Sequence, residues 1–376
     1  PGVGGLETVS NNIIDYIGKD FTIYTLSFNV ISNAPTSPAI AEIFQFKTDN
    51  EKENIQIFNQ IIEEKKITHI INQGIYPHIT NIIFNPDRKK DVKIISVLHG
   101  MPKYENSQYW QLPHILKANK LKQIKRRFLF HIGLNYKYKR YIKSFSDSYR
   151  KACIDGDQII VLCNEYIKPF INGYHLKKYQ KKVIAIENPL SSLFSEQKSI
   201  EWIQKKNQVI FVGRLSEEKQ IHIILDIWEK IGKITNWDLV IIGDGCIRQK
   251  LEQTVRDKQI QRVSFTGQIN HPEEYYKSAK IILLTSSFEG FPMCLIEALR
   301  FGVIPLTFDI SAGVRSIVSN SGGIIIENRN SNEMFLKLQE LMNNKYLHLL
   351  SEKARLKSNR YTLNRIGEQW INLLRR

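Results

Sequence analysis

Short runs of β-branched and apolar residues alternate along this chain with segments whose apolar positions recur at helical spacing. That alternation predicts α/β domains built on parallel sheets. The first series of strands is expected near Thr22–Leu26, Ile43–Phe46, Thr68–Asn72, Val92–Leu98, Gln158–Leu162 and Val183–Ile186. Helical patterns cover Leu6–Ile17 and Glu51–Lys65 within it. A second series follows, with strands near Val209–Val212, Leu239–Ile242, Val263–Thr266, Ile281–Leu284, Val303–Thr307 and Gly323–Ile326. Its helices are expected from about Lys219 to Ile231 and from about Cys246 to Asp257, and Ser331–Arg376 reads as a helical tail.

Glu187-Asn188-Pro189 separates the two series, because proline breaks a strand and polar residues follow it. The expected division is residues 1–188, residues 189–360, and a final helix over 361–376 that returns to the first domain. Gly2, Gly4 and Gly5 precede the first helix. A glycine loop that opens a helix ordinarily follows a strand, and here that strand is expected to lie before Pro1.

Two domains of ordinary size suit 376 residues. No apolar run is long enough to span a bilayer and the chain does not start on a secretory signal pattern, so a cytoplasmic protein is expected. Four cysteines without metal-ligand spacing are expected to be reduced. The formal charge of +16 favours anionic partners without choosing among them. Its distribution says more. No acidic residue falls between Glu105 and Asp147, where Lys117, Lys120, Lys122, Lys125, Arg126 and Arg127 are interleaved with apolar side chains. Such a surface suits an anionic membrane. It is also compatible with an ordinary solvated face, and less so with nucleic acid, for which no recognised motif is present.

The densest chemistry lies in Ile281–Phe301, which reads as a strand, a Gly/Pro loop and a helix. Glu289 falls in the loop and Glu297 on the helix, with Pro292 at the position of a first helical residue. Unpaired N–H groups and the positive dipole end at a helix start suit an anion. Two acids beside an anion site point to a ligand with both phosphates and hydroxyls, such as a nucleotide sugar. Arg214 and Lys219 flank a second strand-to-helix loop and could supply cations to a diphosphate. Asp155-Gly156-Asp157 has the spacing of a divalent-ion motif and lies just before a strand.

Several segments together resemble glycosyltransferase family 4. Phe211-Val212-Gly213-Arg214-Leu215-Ser216-Glu217-Glu218-Lys219 resembles its "VGRLSpEKG" segment, and Ile242-Gly243-Asp244-Gly245 its "GdGp" turn. Ser287-Phe288-Glu289-Gly290-Phe291-Pro292 with Glu297 resembles its paired-glutamate signature. Gly302–Leu306 resembles the strand that follows, and Gly4-Gly5-Leu6-Glu7 the N-terminal glycine loop. Gln220 stands where the family usually has glycine. At the place of Asp155-Gly156-Asp157 the family often has a single Asp with no metal role, so no metal site is expected there.

The resemblance implies a GT-B fold: two Rossmann-like domains facing across a cleft, with C-terminal helices packing back. It implies that residues 1–188 serve the acceptor and 189–360 the donor. The activity implied is sugar transfer with retention of configuration, without a bound metal or other cofactor, from a UDP- or GDP-sugar. It also implies roles. Arg214 and Lys219 would hold the diphosphate and Glu297 the ribose, while Glu289 would meet the sugar and the reacting centre. The backbone of Gly290, Phe291 and Pro292 would lie along the sugar, and the N–H groups of Met293 and Cys294 would face the phosphates. His99, at a strand end, would contact the donor sugar. Gly4 and Gly5 would admit phosphate or acceptor, and backbone near Gln268 and Ile269 would read the base. The acceptor implied is a glycan or lipid-linked saccharide in bacterial surface polysaccharide synthesis, reached from the inner face of the cell membrane. A nucleotide-sugar epimerase on the same fold and a basic nucleic-acid-binding protein are the rival readings.

Overall fold

The computed structural model describes residues 5–28, 36–46, 49–109, 135–196, 201–269 and 271–376. Gly4 and the basic run from Lys117 to Arg127 lie outside them. The chain divides into two units, Pro1–Glu187 with Trp370–Arg376, and Asn188–Gln369.

The first unit opens with helix α1 (Gly5–Ile17), whose Val9, Ile13 and Ile17 form one buried face. Strands β1 (Ile23–Ser27) and β2 (Ile40–Gln45) pair in parallel with each other alone. A separate parallel sheet contains β3 (His69–Asn72), β4 (Lys93–Leu98), β5 (Gln158–Val161) and β6 (Val183–Ala185), in that order. The expected single Rossmann-like sheet is thus present in two pieces, because no described strand bonds to the outer edges of β1 and β3. The piece with β4 and β5 is the buried one, as a parallel sheet covered on both faces should be. At the other end of the chain, Trp370 and Leu374 are buried, and Arg375 pairs with Asp20 at 3.2 Å. Asp157 has a structural task. Its carboxylate accepts the Ile94 N–H at 2.7 Å, and its own N–H donates to the Ile94 carbonyl at 2.9 Å.

The second unit carries six parallel strands. These are β7 (Gln208–Val212), β8 (Asp238–Ile242), β9 (Val263–Gly267), β10 (Ile281–Leu284), β11 (Ile304–Phe308) and β12 (Ile324–Ile326). Their order is β12-β11-β10-β7-β8-β9. Every residue of β10 and β11 is buried. Apolar side chains from one face of this sheet, among them Phe211, Ile241, Leu283 and Leu306, join Trp228, Leu225 and Met334 in one core. The order reverses between β7 and β10: the chain leaves β7 toward β8 on one side, and later returns to β10 on the other. Open α/β sheets bind ligands at such a switch point, outside the carboxyl ends of the strands.

Lys205 is a buried cation in this unit. Its Nζ donates to the carbonyls of Lys277 and Ala279 at 2.8 Å each and of Tyr276 at 3.2 Å. Burial pushes its ammonium down to about 7. The three carbonyls end a short helix, and a cation there also meets the negative dipole end. Lys205→Met should therefore leave buried acceptors unpaired and lower stability by about 1–3 kcal/mol, read as a lower urea midpoint with an unchanged slope. Among the described residues, no helix is long and apolar enough to cross a membrane.

Candidate active site

Two loops of the second unit meet at the switch point. The β7 loop leaves Val212 through Gly213 and Arg214, and ends in a single 3-10 turn, Glu217–Lys219. Gln220 then adopts φ 50°, ψ 40°, and helix α8 (Ile221–Ile231) begins. This left-handed backbone explains the preference for glycine at that position; glutamine there costs about 1–2 kcal/mol. Neighbouring backbone holds the loop in place. Leu215 N–H donates to Asp244 O at 2.8 Å, and Ile247 N–H to Leu215 O at 3.2 Å. A Cβ on Gly243 would lie 2.0 Å from the Gly213 carbonyl oxygen, so the Gly243-Asp244-Gly245 turn supports the Arg214 loop by close approach.

The β10 loop is tied to the first by hydroxyls. Thr285 Oγ1 donates to the carbonyls of Lys219 and Gln220, at 3.1 and 3.2 Å. Ser287 donates to Glu218 O from its N–H at 2.7 Å and its Oγ at 3.0 Å. These bonds bring Lys219 Nζ to 2.6 Å from Glu289 Oε1. Ser286, fully buried, donates to the same oxygen at 2.7 Å. Glu289 Oε2 has no hydrogen-bond partner among the described residues. Burial alone would push the Lys219 ammonium down, but the charge and hydrogen bond of Glu289 hold it above its ordinary value. Arg214 stands exposed nearby in sequence and makes no ion pair among the described residues.

Helix α11 (Met293–Arg300) follows, with Pro292 as its N-cap rather than its first residue. Proline's missing N–H costs nothing there, and its φ of −68° suits the entry. Phe291 is buried edge-on to Tyr361 at 5.8 Å, so its backbone alone is available to a ligand. The Gly290 carbonyl accepts a bond from Ser311 Oγ at 3.5 Å. Met293 and Cys294 occupy the first turn, whose N–H groups lack partners within the helix. Cys294 lies within electrostatic reach of Glu289, Lys219 and Glu297, and burial holds its thiol well above its ordinary value. Glu297 is half-buried one turn further on, and burial pushes its carboxyl up to about 7 against a 2.8 Å bond from the Tyr276 hydroxyl.

The second unit thus gathers Lys219, Glu289, Cys294 and Glu297 at the mouth of α11. Residues 192–362, nearly all of that unit, match the family model described as Glycosyl transferases group 1. The match covers less than half of the whole chain, and it is to this family that the second unit is similar. An uncharacterized glycosyltransferase of Haemophilus influenzae is 33% identical over 196 residues, which is 51% of this chain and 55% of that protein. A Campylobacter jejuni α-1,4-N-acetyl-D-galactosaminyltransferase, named for a PP-undecaprenol-linked glycan, is 28% identical over 205 residues, covering 53% and 56%. The chain therefore spans a little over half the length of these curated relatives. Anabaena HepE, solved with UDP-glucose, aligns over 99% of this chain and 96% of its own, with a TM-score of 0.72 and 13% identity. At that identity the likeness speaks for the fold, which is the expected GT-B class.

Of the other residues singled out from the sequence, Gly5 and His99 belong to the first unit and Ile269 to the second. Gly5 is the first residue of α1, and Gly4 lies outside the described residues. Ile269 is half-buried just past β9. His99 follows β4 in the first unit, where its Nε2 lies 2.7 Å from Gln73 Oε1. With the amide oxygen as acceptor, Nε2 carries the proton. Burial pushes this imidazole down to about 4, so it is neutral near pH 7. Sequence reasoning missed Thr285, Ser286, Tyr276 and Gln73. The hydroxyl run Thr285-Ser286-Ser287 at a strand end was the available signal for the first two.

Proposed function

We propose that this chain is a retaining glycosyltransferase that moves a sugar from a UDP- or GDP-sugar to a glycan or lipid-linked acceptor in bacterial surface polysaccharide synthesis. The observation that carries the reading is the 2.6 Å pair of Lys219 and Glu289, stitched between two loops at the sheet's switch point beside the start of α11. In the proposed mechanism Lys219, Arg214 and the first N–H groups of α11 meet the charge that grows on the departing diphosphate. Fixed donors in a site of restricted solvent access do this without reorganisation. Glu289 accepts hydroxyls of the sugar and holds its reacting carbon, with Gly290, Phe291 and Pro292 along the ring. Glu297 takes the ribose. His99, whose Nε2–H is taken by Gln73, offers its neutral Nδ1 as an acceptor to a sugar hydroxyl. The first unit supplies the acceptor, and the leaving phosphate helps to take the acceptor's proton on the face of departure. The basic residues between Glu105 and Asp147 would hold the enzyme at an anionic membrane on the cytoplasmic side; the name of the Campylobacter jejuni relative supports an acceptor of that location.

No resident metal enters this chemistry. Activity measured after exhaustive EDTA treatment is expected to match the untreated enzyme, and a loss restored by a divalent ion would contradict it. Donor choice follows from thermal shift with UDP and GDP. One of the two should raise Tm in proportion to the logarithm of its concentration above its Kd; no shift with either would contradict a nucleotide-sugar enzyme.

A further inference from the structure

Tyr276 lies in the short helix α10 (Glu273–Ser278) and is fully buried. It stacks on Phe301, with ring centres 6.3 Å apart and planes 7° apart, and meets Phe194 edge-on at 5.9 Å. Its backbone carbonyl is one of the three held by Lys205. Backbone and ring are therefore both fixed, and the hydroxyl has one place to go: Glu297 Oε2, at 2.8 Å. Glu297 Oε1 has no described donor. An ionised carboxylate is an acceptor only, and it is best matched by a pair of O–H donors such as a vicinal diol. With Oε2 tied to an immobile phenol, the carboxylate has one orientation left in which to meet them.

We propose that Tyr276 is the positioning residue that sets Glu297 to recognise the ribose diol of the donor nucleotide. This rests on the assignment of Glu297 to the ribose made above. Tyr276 touches no substrate; it acts through the carboxylate. Two titratable groups face Glu297, Tyr276 from α10 and Cys294 from its own helix, and both stay neutral because burial raises them. The phenol donates to the charged carboxylate and so opposes the upward push of burial.

The test compares binding of UDP or GDP, whichever binds, with its 2′,3′-dideoxy analogue, in the unsubstituted chain, Tyr276→Phe and Glu297→Gln. Phenylalanine keeps the stack on Phe301. Tyr276→Phe is expected to weaken the ribonucleotide about tenfold and leave the dideoxy analogue nearly unchanged. The preference for ribose should also fall as pH drops through about 7, where the carboxyl takes a proton and ceases to be a pure acceptor. In Tyr276→Phe that midpoint should move upward, which a merely structural residue would not cause. Equal losses for both nucleotides, or no loss for either, overturn the role of Tyr276. A Glu297→Gln chain that keeps the full ribose preference overturns the ribose assignment itself. Should Tyr276→Phe fail to fold, the pH profile of the unsubstituted chain decides, and a ribose preference flat with pH overturns the proposal.

Discussion

Lys219→Ala is expected to lower kcat by about a hundredfold to a thousandfold while the protein stays folded. That is the usual loss when one fixed charge-stabilising donor is removed from a transition state. The setting of Lys219 suits the proposed task. Its ammonium sits 2.6 Å from Glu289 and is kept charged by it. The arriving diphosphate carries more negative charge than the carboxylate, so it can compete for the cation. Arginine at this position should not restore full rate. Its longer planar fork does not fit the oxygen that Ser286 already shares. The check is steady-state kinetics beside a thermal melt: intact folding with unchanged turnover contradicts the assignment.

Glu289→Ala should be at least as damaging, with kcat lower by about a hundredfold or more, because in the proposed mechanism the sugar loses the group that fixes its reacting carbon. Its stability signature differs from that of an ordinary surface change. Glu289 is mostly buried, and removing it leaves the Lys219 ammonium with one partner fewer. A modest loss of stability should follow, smaller in the Lys219→Ala, Glu289→Ala double variant than the sum of the two single losses. Additive losses would mean that the pair is not coupled.

Much of the fold is legible in the sequence, for a physical reason. The strands of the second unit are apolar because both faces are covered, so Val209–Val212, Ile281–Leu284 and Val303–Thr307 stand out against polar helices. The first unit is harder to read. Every residue of β1 is only half-buried, and β2 shows four exposed positions, so their apolar signal is diluted and pairing to each other alone was not anticipated. Helix starts shift where backbone geometry intervenes. The 3-10 turn at Glu217–Lys219 and the left-handed Gln220 delay α8 to Ile221, and Ser216 donates to the Glu218 side chain instead of capping.

The charged residues of the site are conspicuous because acids and bases at strand ends have few structural excuses. Their supports are not. Ser286 and Thr285 look like any polar residues after a strand, and Tyr276 looks like core, which it also is. What makes Tyr276 informative is a single hydroxyl aimed at Glu297, and spacing cannot reveal that.

The most direct test follows the donor sugar by NMR, with the donor identified by thermal shift, in the presence and absence of an acceptor saccharide. Rapid release of nucleoside diphosphate only when acceptor is present, with the product in the donor's anomeric configuration and lost in Lys219→Ala and Glu289→Ala, is the predicted result. A change in the donor sugar without acceptor would mark an epimerase, and a product of inverted configuration or full activity in both variants would contradict the site proposed here.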